Sequence, residues 1–388
     1  MTRLGDVCEK IGSGATPRGG KEAYKDAGIP IIRSQNIHDW VFQPDGLAFL
    51  DDEQAESLSN VEVRSNDVLL NITGDSVARA CIVPSERIPA RVNQHVAIVR
   101  AGKEINPTYL LASLQSKKTT LLSLASSGAT RNALTKRMIE NLDIDLPSRE
   151  IQDSIAQVLD SIQYKITLNN RLNDYLEQLV DGKFQELFGG LNFNATLSDV
   201  AEITMGQSPA GSSYNEEGAG IIFYQGRGEF GWRFPKRRLY TTEPKRLACE
   251  GDVLMSVRAP VGDLNVAFEN CCIGRGLAAI HSETPSFALY LMRFLKPQLE
   301  AYNGEGTVFG SINGKALKSL EVALPSHNEV MQFESFAASI DALIRSNENE
   351  TRKLNNLRNY LLPKLMSGEI DVSKVDLTQL TNNHLADC

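Results

Sequence analysis

The segment "NLDIDLPSREIQDSIAQVLDSI", residues 141–162, runs an alternating apolar stretch through Leu-Pro-Ser into a pattern of helical period. Residues 319–343, "SLEVALPSHNEVMQFESFAASIDAL", repeat the strand, the joint and the amphipathic continuation. A unit written twice confines the chain to a tandem architecture. Other landmarks keep the same order: "LGDV" at Leu4 answers "LSDV" at Leu197, and "NDVLL" at Asn66 answers "GDVLM" at Gly251. Their separation shrinks toward the Leu-Pro-Ser joint, so the second copy carries shorter loops on the same frame.

Within each copy lie short strands such as "VLLNIT" and "VAIVR", Gly/Pro turns and one helical segment ("PTYLLASLQSKKTTLLSLA"; "PSFALYLMRFLKPQLEAY"). That mixture predicts an α+β domain. A long helix closes each copy. In the first, Ile151, Ile155, Val158, Ile162, Ile166, Leu172, Leu176 and Leu179 form a seam at 3-4 spacing. In the second the seam is Phe336, Ile340, Leu343, Leu354, Leu357 and Leu361, with Asn347 in the slot where the first has Asn169. Polar residues in such slots fix register. Some 35 to 40 residues at about 1.5 Å each make a rod of roughly 50 to 60 Å. Such a rod calls for a partner helix, and the two seams are expected to form an antiparallel coiled coil. The plainer alternative packs each helix on its own domain.

At 388 residues the chain is long enough for two or three domains. Hydrophobic residues at 42% and charged residues at 23% are ordinary for a soluble protein, and no run reaches the roughly 18 apolar residues of a membrane span. The start "MTRLGDVCEKIGSG" has no apolar signal core, so the cytoplasm is expected. The six cysteines make no Cys-x-x-Cys pair and read as reduced thiols. The five histidines are scattered, so no metal site is expected. His95 reads as a strand residue. A net charge of −8 argues against indiscriminate coating of nucleic acid.

Catalytic motifs fail one by one. "NPTY" at Asn106 lacks the second proline of an amine-methylating site and fits a helix start with Pro107 at its first position. "GSINGKAL" at Gly310 has the wrong glycine spacing for a phosphate loop and Ala316 in place of a magnesium-holding hydroxyl. "EPK" at Glu243 lacks the acidic partner of a nuclease site and reads as a basic surface loop.

Polar chemistry concentrates instead in "YQGRGEFGWRFPKRRLYTTEPKR", where Gln225, Arg227, Arg233, Lys236, Arg237, Arg238, Lys245 and Arg246 mix with aromatic residues. Such residues can hold phosphates and read purine edges. The first copy offers "IIRSQNIHDW", with Arg33, Gln35 and Asn36, and an upstream glycine-rich loop with Arg18, Lys21 and Lys25. Late loops add Thr130, Arg131 and Asn132 in the first copy and Ser311, Asn313 and Lys315 in the second. Two different polar surfaces on one frame suit a protein that reads two short sequences.

From Leu4 to about Ile370 the chain resembles the specificity subunits of Type I restriction-modification systems. The matching features are the tandem plan, "IGSGATPRGG" followed by "GIPIIRSQNI", the "NDVLL" and "GDVLM" turns, "QHVAIVR", and both joints into a long helix. The resemblance implies target-recognition domains at 1–147 and 191–325. It implies spacer helices at 148–190 and 326–370, with a tail at 371–388. The coiled-coil seam would comprise Ile155, Val158, Ile162, Asn169, Leu172, Leu176, Leu179, Ile340, Leu343, Asn347, Leu354, Leu357 and Leu361. Each domain would read half of a bipartite site on double-stranded DNA, and the helices would set the spacer and dock two modification subunits. S-adenosylmethionine, ATP and magnesium would belong to modification and restriction subunits, leaving this chain without catalysis, cofactor or metal. The first domain, poorer in cations, would lean more on those partners. The alternatives are a self-sufficient methyltransferase or nuclease with a similar recognition domain, and a coiled-coil scaffold.

Overall fold

The Leu-Pro-Ser joint is where each copy of the repeat closes on itself. In the computed structural model, which describes residues 1–126, 132–304 and 310–372, Thr2–Arg3 pairs antiparallel with Asp143–Ile144 just before the first joint. Ala195–Thr196 pairs in the same way with Glu321–Val322 before the second. Proline cannot continue a ladder and is tolerated in a first helical turn, so the strand ends and a helix begins. At the second joint Ser326 and Glu329 build a capping box: Ser326 N donates to Glu329 Oε2 (2.9 Å), and Glu329 N donates to Ser326 Oγ (3.4 Å). At the first, Gln152 reaches back, its Nε2 donating to Pro147 O (3.0 Å) and Glu104 O (3.1 Å).

The chain divides into two units, Met1–Thr167 with Arg352–Cys388, and Leu168–Thr351. Each long helix, Arg149–Phe188 and His327–Met366, contributes residues to both.

In the first unit one antiparallel sheet runs Cys8–Ser13, Val96–Ala101, Val68–Asn71, Ala80–Ile82 in spatial order. A second runs Ala48–Leu50, Ile29–Ile32, Ala90–Val92, Glu62–Val63, with Ile29–Ile32 parallel to Ala90–Val92. The other unit repeats both orders: Glu202–Met205, Leu277–His281, Val253–Ser256, Leu264–Val266, and then Leu239–Thr241, Ile221–Tyr224, Cys271–Ile273, Leu247–Ala248. Its parallel pair is Ile221–Tyr224 with Cys271–Ile273, and one extra strand, Tyr214–Asn215, flanks Leu239–Thr241. Duplication thus extends to sheet order and strand sense.

Each expected helical segment is two helices: Pro107–Ser116 and Lys118–Ser126, then Pro285–Phe294 and Lys296–Glu300. The second break falls where Pro297 removes a backbone donor. Asn106 caps Pro107–Ser116, its Oδ1 accepting from Thr108 N (2.8 Å) and Tyr109 N (3.2 Å), as expected of "NPTY". Tyr109 through Gln115 are all buried, because the sheet lies on one side and the long helix on the other. A helix buried nearly all round needs such cover on both faces.

The long helices are therefore part of each domain's core. Ile155, Val158, Leu159, Ile162 and Ile166 share one apolar cluster with Val68, Leu70, Val99, Leu110 and, from the second long helix, Leu362 and Leu365. In the other unit Val180, Phe184 and Phe188 join Phe287, Val330 and Phe333. Phe184 stacks edge-on against Phe333 at 5.3 Å between ring centres. Burying each such ring contributes about 1.5–3 kcal/mol. Pairing with the partner helix and packing on the helix's own domain, weighed as alternatives, coexist.

The seam differs from the 3-4 reading. Leu172, Leu179, Leu343 and Leu357 are exposed, Leu179 at 54%. Beyond Gln152, Ala156 and Leu159 near its start, the buried positions of the first helix fall into three sets, Ile155, Ile166 and Phe188, then Ile162, Asn173 and Phe184, then Val158, Asn169 and Val180, each at steps of 11 or twice 11. An 11-residue repeat stays close to the natural helical period, whereas a heptad stripe drifts by about 20° per repeat. The drift carries Leu172 and Leu179 outward. Ile155, Val158, Ile162, Asn169 and Asn347 are buried, and Leu176, Ile340, Leu354 and Leu361 are half-buried.

Asparagines fill the inner face midway. Asn347 Nδ2 donates to Asn173 Oδ1 (2.9 Å), Asn173 Nδ2 to Glu348 Oε1 (3.2 Å) and Asn169 Nδ2 to Glu350 Oε2 (2.8 Å). Contacts at residue 169 with 350, 173 with 347 and 184 with 333 show the helices antiparallel in this unit. Replacing Asn173 by alanine leaves the buried Asn347 amide without its acceptor and should lower stability by about 1–3 kcal/mol, read as a drop in the urea midpoint of the full chain. An unchanged midpoint would mean the layer contributes nothing to packing.

Candidate nucleic-acid interface

In each unit the turns that connect the strands gather at one end of the two sheets. In the second, Gln207 N donates to Ile273 O (3.0 Å), Gly276 N to Gln225 O (3.2 Å), Val257 N to Gly276 O (3.0 Å) and Ile312 N to Val257 O (3.1 Å). These bonds bring Gln207, Gln225, Arg258, Arg275 and Ser311 together, all exposed. In the first unit Ala15 N donates to Val92 O (3.0 Å), Asn93 N to Ile32 O (3.0 Å), Ile72 N to His95 O (3.0 Å) and Leu134 N to Ile72 O (2.8 Å). The loops so joined carry Arg33, Thr73, Gln94, His95 and Asn132. Two glycines permit the nesting. A Cβ on Gly14 would lie 2.0 Å from Val92 O, and one on Gly206 2.1 Å from Gly274 O.

Gln35 is exposed with Nε2 donating to Gly46 O (3.1 Å). Arg33 is half-buried, donating to the same carbonyl (2.5 Å) above the Tyr24 ring. Asn36 is buried and acts as a loop brace: Nδ2 donates to Gln43 O (2.9 Å) and Oδ1 accepts from Arg33 N (3.0 Å). Arg18 and Asn132 are exposed, the Lys21 side chain is outside what the structure describes, and Thr130 and Arg131 lie outside the described residues. Asn313 caps Gly314–Lys318, its Oδ1 accepting from Ala316 N (2.9 Å), with Ser311 and Lys315 exposed beside it.

The basic tract is less free than its composition implies. Arg227 pairs with Asp263 (2.9 Å), Arg237 with Glu269 (2.6 Å) and Arg238 with Glu229 (2.7 Å), while Lys236 is exposed. The three pairs leave their arginines about half exposed. The Arg227–Asp263 and Arg237–Glu269 pairs, with both partners partly exposed, are worth no more than about 1 kcal/mol each, whereas Glu229 is buried and holds Arg238 more firmly.

Arg233 is a correction to the expected base readers. It is 4% exposed, and its guanidinium donates to Glu177 (3.1 Å) and Asp341 (3.2 Å) on the long helices and to Tyr290 Oη (3.3 Å). Burial opposes its charge, but Tyr290, Asp341 and Glu177 outweigh it and raise its pKa. Burial also raises Glu177, against the pull of Arg293 and Arg233. Arg233 ties the variable loop to the helix pair. The first unit has a counterpart in reverse: Arg358 of the second long helix sits under Trp40, its Nη1 donating to Gln163 Oε1 (2.5 Å). Burial pulls the Arg358 pKa down to about 10.

Thr73, Gln94, Gln207, Arg258 and Arg275 escaped the sequence reading, as did the role of His95, which sits in a turn with Nδ1 2.7 Å from Thr73 Oγ1. The signal was positional: each flanks a core strand, Thr73 and Arg258 just past "NDVLLNI" and "GDVLMSV", Gln94, His95 and Arg275 just ahead of "VAIVR" and "LAAIH", and Gln207 just past "EITMG". Arg233→Ala strands two carboxylates in a half-buried site and should cost about 3–5 kcal/mol, whereas Arg227→Ala should cost no more than about 1 kcal/mol. Equal denaturant midpoints for the two variants would refute the distinction drawn between anchor and surface cation.

The family model for the Type I restriction modification DNA specificity domain matches residues 1–178 and again 194–359. A putative type I restriction enzyme MjaX specificity subunit of Methanocaldococcus jannaschii is 29% identical, covering 96% of this chain and 93% of its own. The crystal structure of the Type-I restriction-modification system S subunit from M. genitalium shares the fold at a TM-score of 0.59 and 14% identity, covering 94% of this chain and 95% of its own. The HsdS subunit from Thermoanaerobacter tengcongensis is 26% identical, covering 95% and 96%, at a TM-score of 0.37. The chain belongs to the family of Type I restriction-modification specificity subunits.

Proposed function

We propose that each unit reads one half of a bipartite, non-palindromic site on double-stranded DNA, in the cytoplasm, as the non-catalytic address of a larger complex. The observation that carries this is the pair of loop clusters: the same turns gather at the same end of the same two sheets, with different side chains in each. One cluster offers Arg33, Thr73, Gln94 and His95, the other Gln207, Gln225, Arg258 and Arg275. Arginine and glutamine pair with guanine and adenine edges in the major groove, so different side chains at matched places select different half-sites. Arg18, Arg227, Lys236, Arg237 and Arg238 serve phosphates.

The domains correspond to residues 1–147 and 191–325, and the long helices act as ruler and dock. Leu168, Leu172, Tyr175 and Leu179 line an exposed apolar stripe on the first helix, and Phe336 and Leu343 lie exposed on the second. Exposed apolar patches of that kind mark contacts with partners. Modification subunits are the partners proposed, bringing S-adenosylmethionine, while restriction subunits bring ATP with magnesium.

Two experiments test this. Removing four residues from each long helix shortens each by about 6 Å. In a host carrying the modification subunit, methylome sequencing should then show both half-sites unchanged and a spacer shorter by about two base pairs. Altered half-sites at an unaltered spacer would sink the ruler. Gln225→Ala should cost roughly 1–3 kcal/mol at one base pair and relax that position alone. For the dock, Leu179→Glu should abolish co-purification of the modification subunit without lowering the melting temperature of the isolated chain; retained co-purification would reject the stripe as the dock.

A further inference from the structure

The turn before the third core strand is built alike in both copies, but it is neutralised differently. In the first, the buried Asp67 accepts from Arg64 N (2.7 Å), closing the turn, and takes a two-pronged pair from Arg100, Nε at 2.7 Å and Nη2 at 2.8 Å. In the second, the buried Asp252 accepts from Cys249 N (2.8 Å) in the same turn, and the neighbouring strand supplies His281, whose Nδ1 lies 2.6 Å from Asp252 Oδ1. Cys249 therefore stands at the place of Arg64, and His281 at the place of Arg100. Where one copy has two arginines the other has a cysteine and a histidine, side chains of the type that can ligate a metal.

The ligand atoms of Cys249, Asp252 and His281 lie within 4.8 Å of one another. Around tetrahedral zinc, with bonds of about 2.0–2.3 Å, ligand atoms stand roughly 3.3–3.8 Å apart, so small rotations of the exposed Cys249 and His281 side chains would close the set. A thiolate, an imidazole and a carboxylate suit zinc and its neighbours over magnesium or calcium. Asp252 is already oriented by the Cys249 amide, as ligating carboxylates usually are by outer hydrogen bonds.

We propose that Cys249, Asp252 and His281 form a binding site for a divalent zinc-class ion that staples the Cys249–Asp252 turn to the strand Leu277–His281. The ion supplies the positive charge that Arg100 supplies in the first copy. Binding displaces the Cys249 thiol proton and the proton shared between His281 and Asp252, with water completing the shell. Because His281 ends the strand whose other end meets the loop cluster, the ion serves stability and not base contact.

The test uses the full chain, stripped with chelator and carrying Cys388→Ser so that this thiol, outside the described residues, adds no signal. Cobalt(II) is the probe, because a thiolate ligand gives it a near-ultraviolet charge-transfer band. One equivalent should produce the band, and zinc should displace it and raise the melting temperature. Cys249→Ser should lose both effects. His281→Arg should lose them too while keeping the metal-free melting temperature, since its guanidinium can hold Asp252 as Arg100 holds Asp67. A parent without the band at one equivalent, or a band that survives either substitution, overturns the proposal and leaves a plain histidine–aspartate pair.

Discussion

Each unit depends on the burial of one narrow face of the long helices. The same stripe that meets the partner helix also completes the domain core: Ile155, Val158 and Ile162 touch the sheet's cluster in one unit, Phe184 and Phe188 in the other. A small two-sheet domain exposes too much apolar surface to be stable on its own sheets alone, and a lone amphipathic helix has nowhere to bury its face. Joining the two solves both problems. It also makes the helix pair continuous with the fold, so that a change in helix phase reaches the domain core directly.

That coupling explains where buried charge is found. Arg233 and Arg358 are both enclosed arginines, and both link a loop region to the helix pair. A buried arginine brings little net stability but strongly penalises any arrangement that separates it from its partners. Such contacts fix where a loop starts while leaving its tip free to vary. The loop tips of the two units do vary, whereas Gly14 and Gly206 hold their bases close against the backbone carbonyls of Val92 and Gly274.

The duplicated frame also shows how one structural problem takes two chemical answers. Asp67 and Asp252 close the same turn, and each needs positive charge beside it because an ionised carboxylate is costly to bury alone. A guanidinium meets the need within the chain in one copy. In the other, the histidine pair meets it when protonated, and the cysteine adds the option of a metal.

Much of this was legible in order and spacing. The repeat, the capped start at Asn106, the Leu-Pro-Ser joints and the two long helices follow from turn chemistry, proline geometry and apolar period, all local properties of the chain. Local pattern could not say which side chains of a helix or loop face inward. Leu172 and Leu179 read as seam because they are large and apolar, yet an 11-residue stripe puts Asn169 and Asn173 inside and leaves them exposed. Arg233 read as a base reader because its neighbours are basic, yet Glu177 and Asp341, distant in sequence, bury it. Cys249 and His281 read as unrelated until the pairing of Val253–Ser256 with Leu277–His281 set them around Asp252. Residue order and spacing suffice for the elements and their duplication, because these rest on interactions among near neighbours. Tertiary structure decided which polar groups are anchors, which face solvent and which meet, because charge pairing and burial depend on residues that only the packed chain brings together.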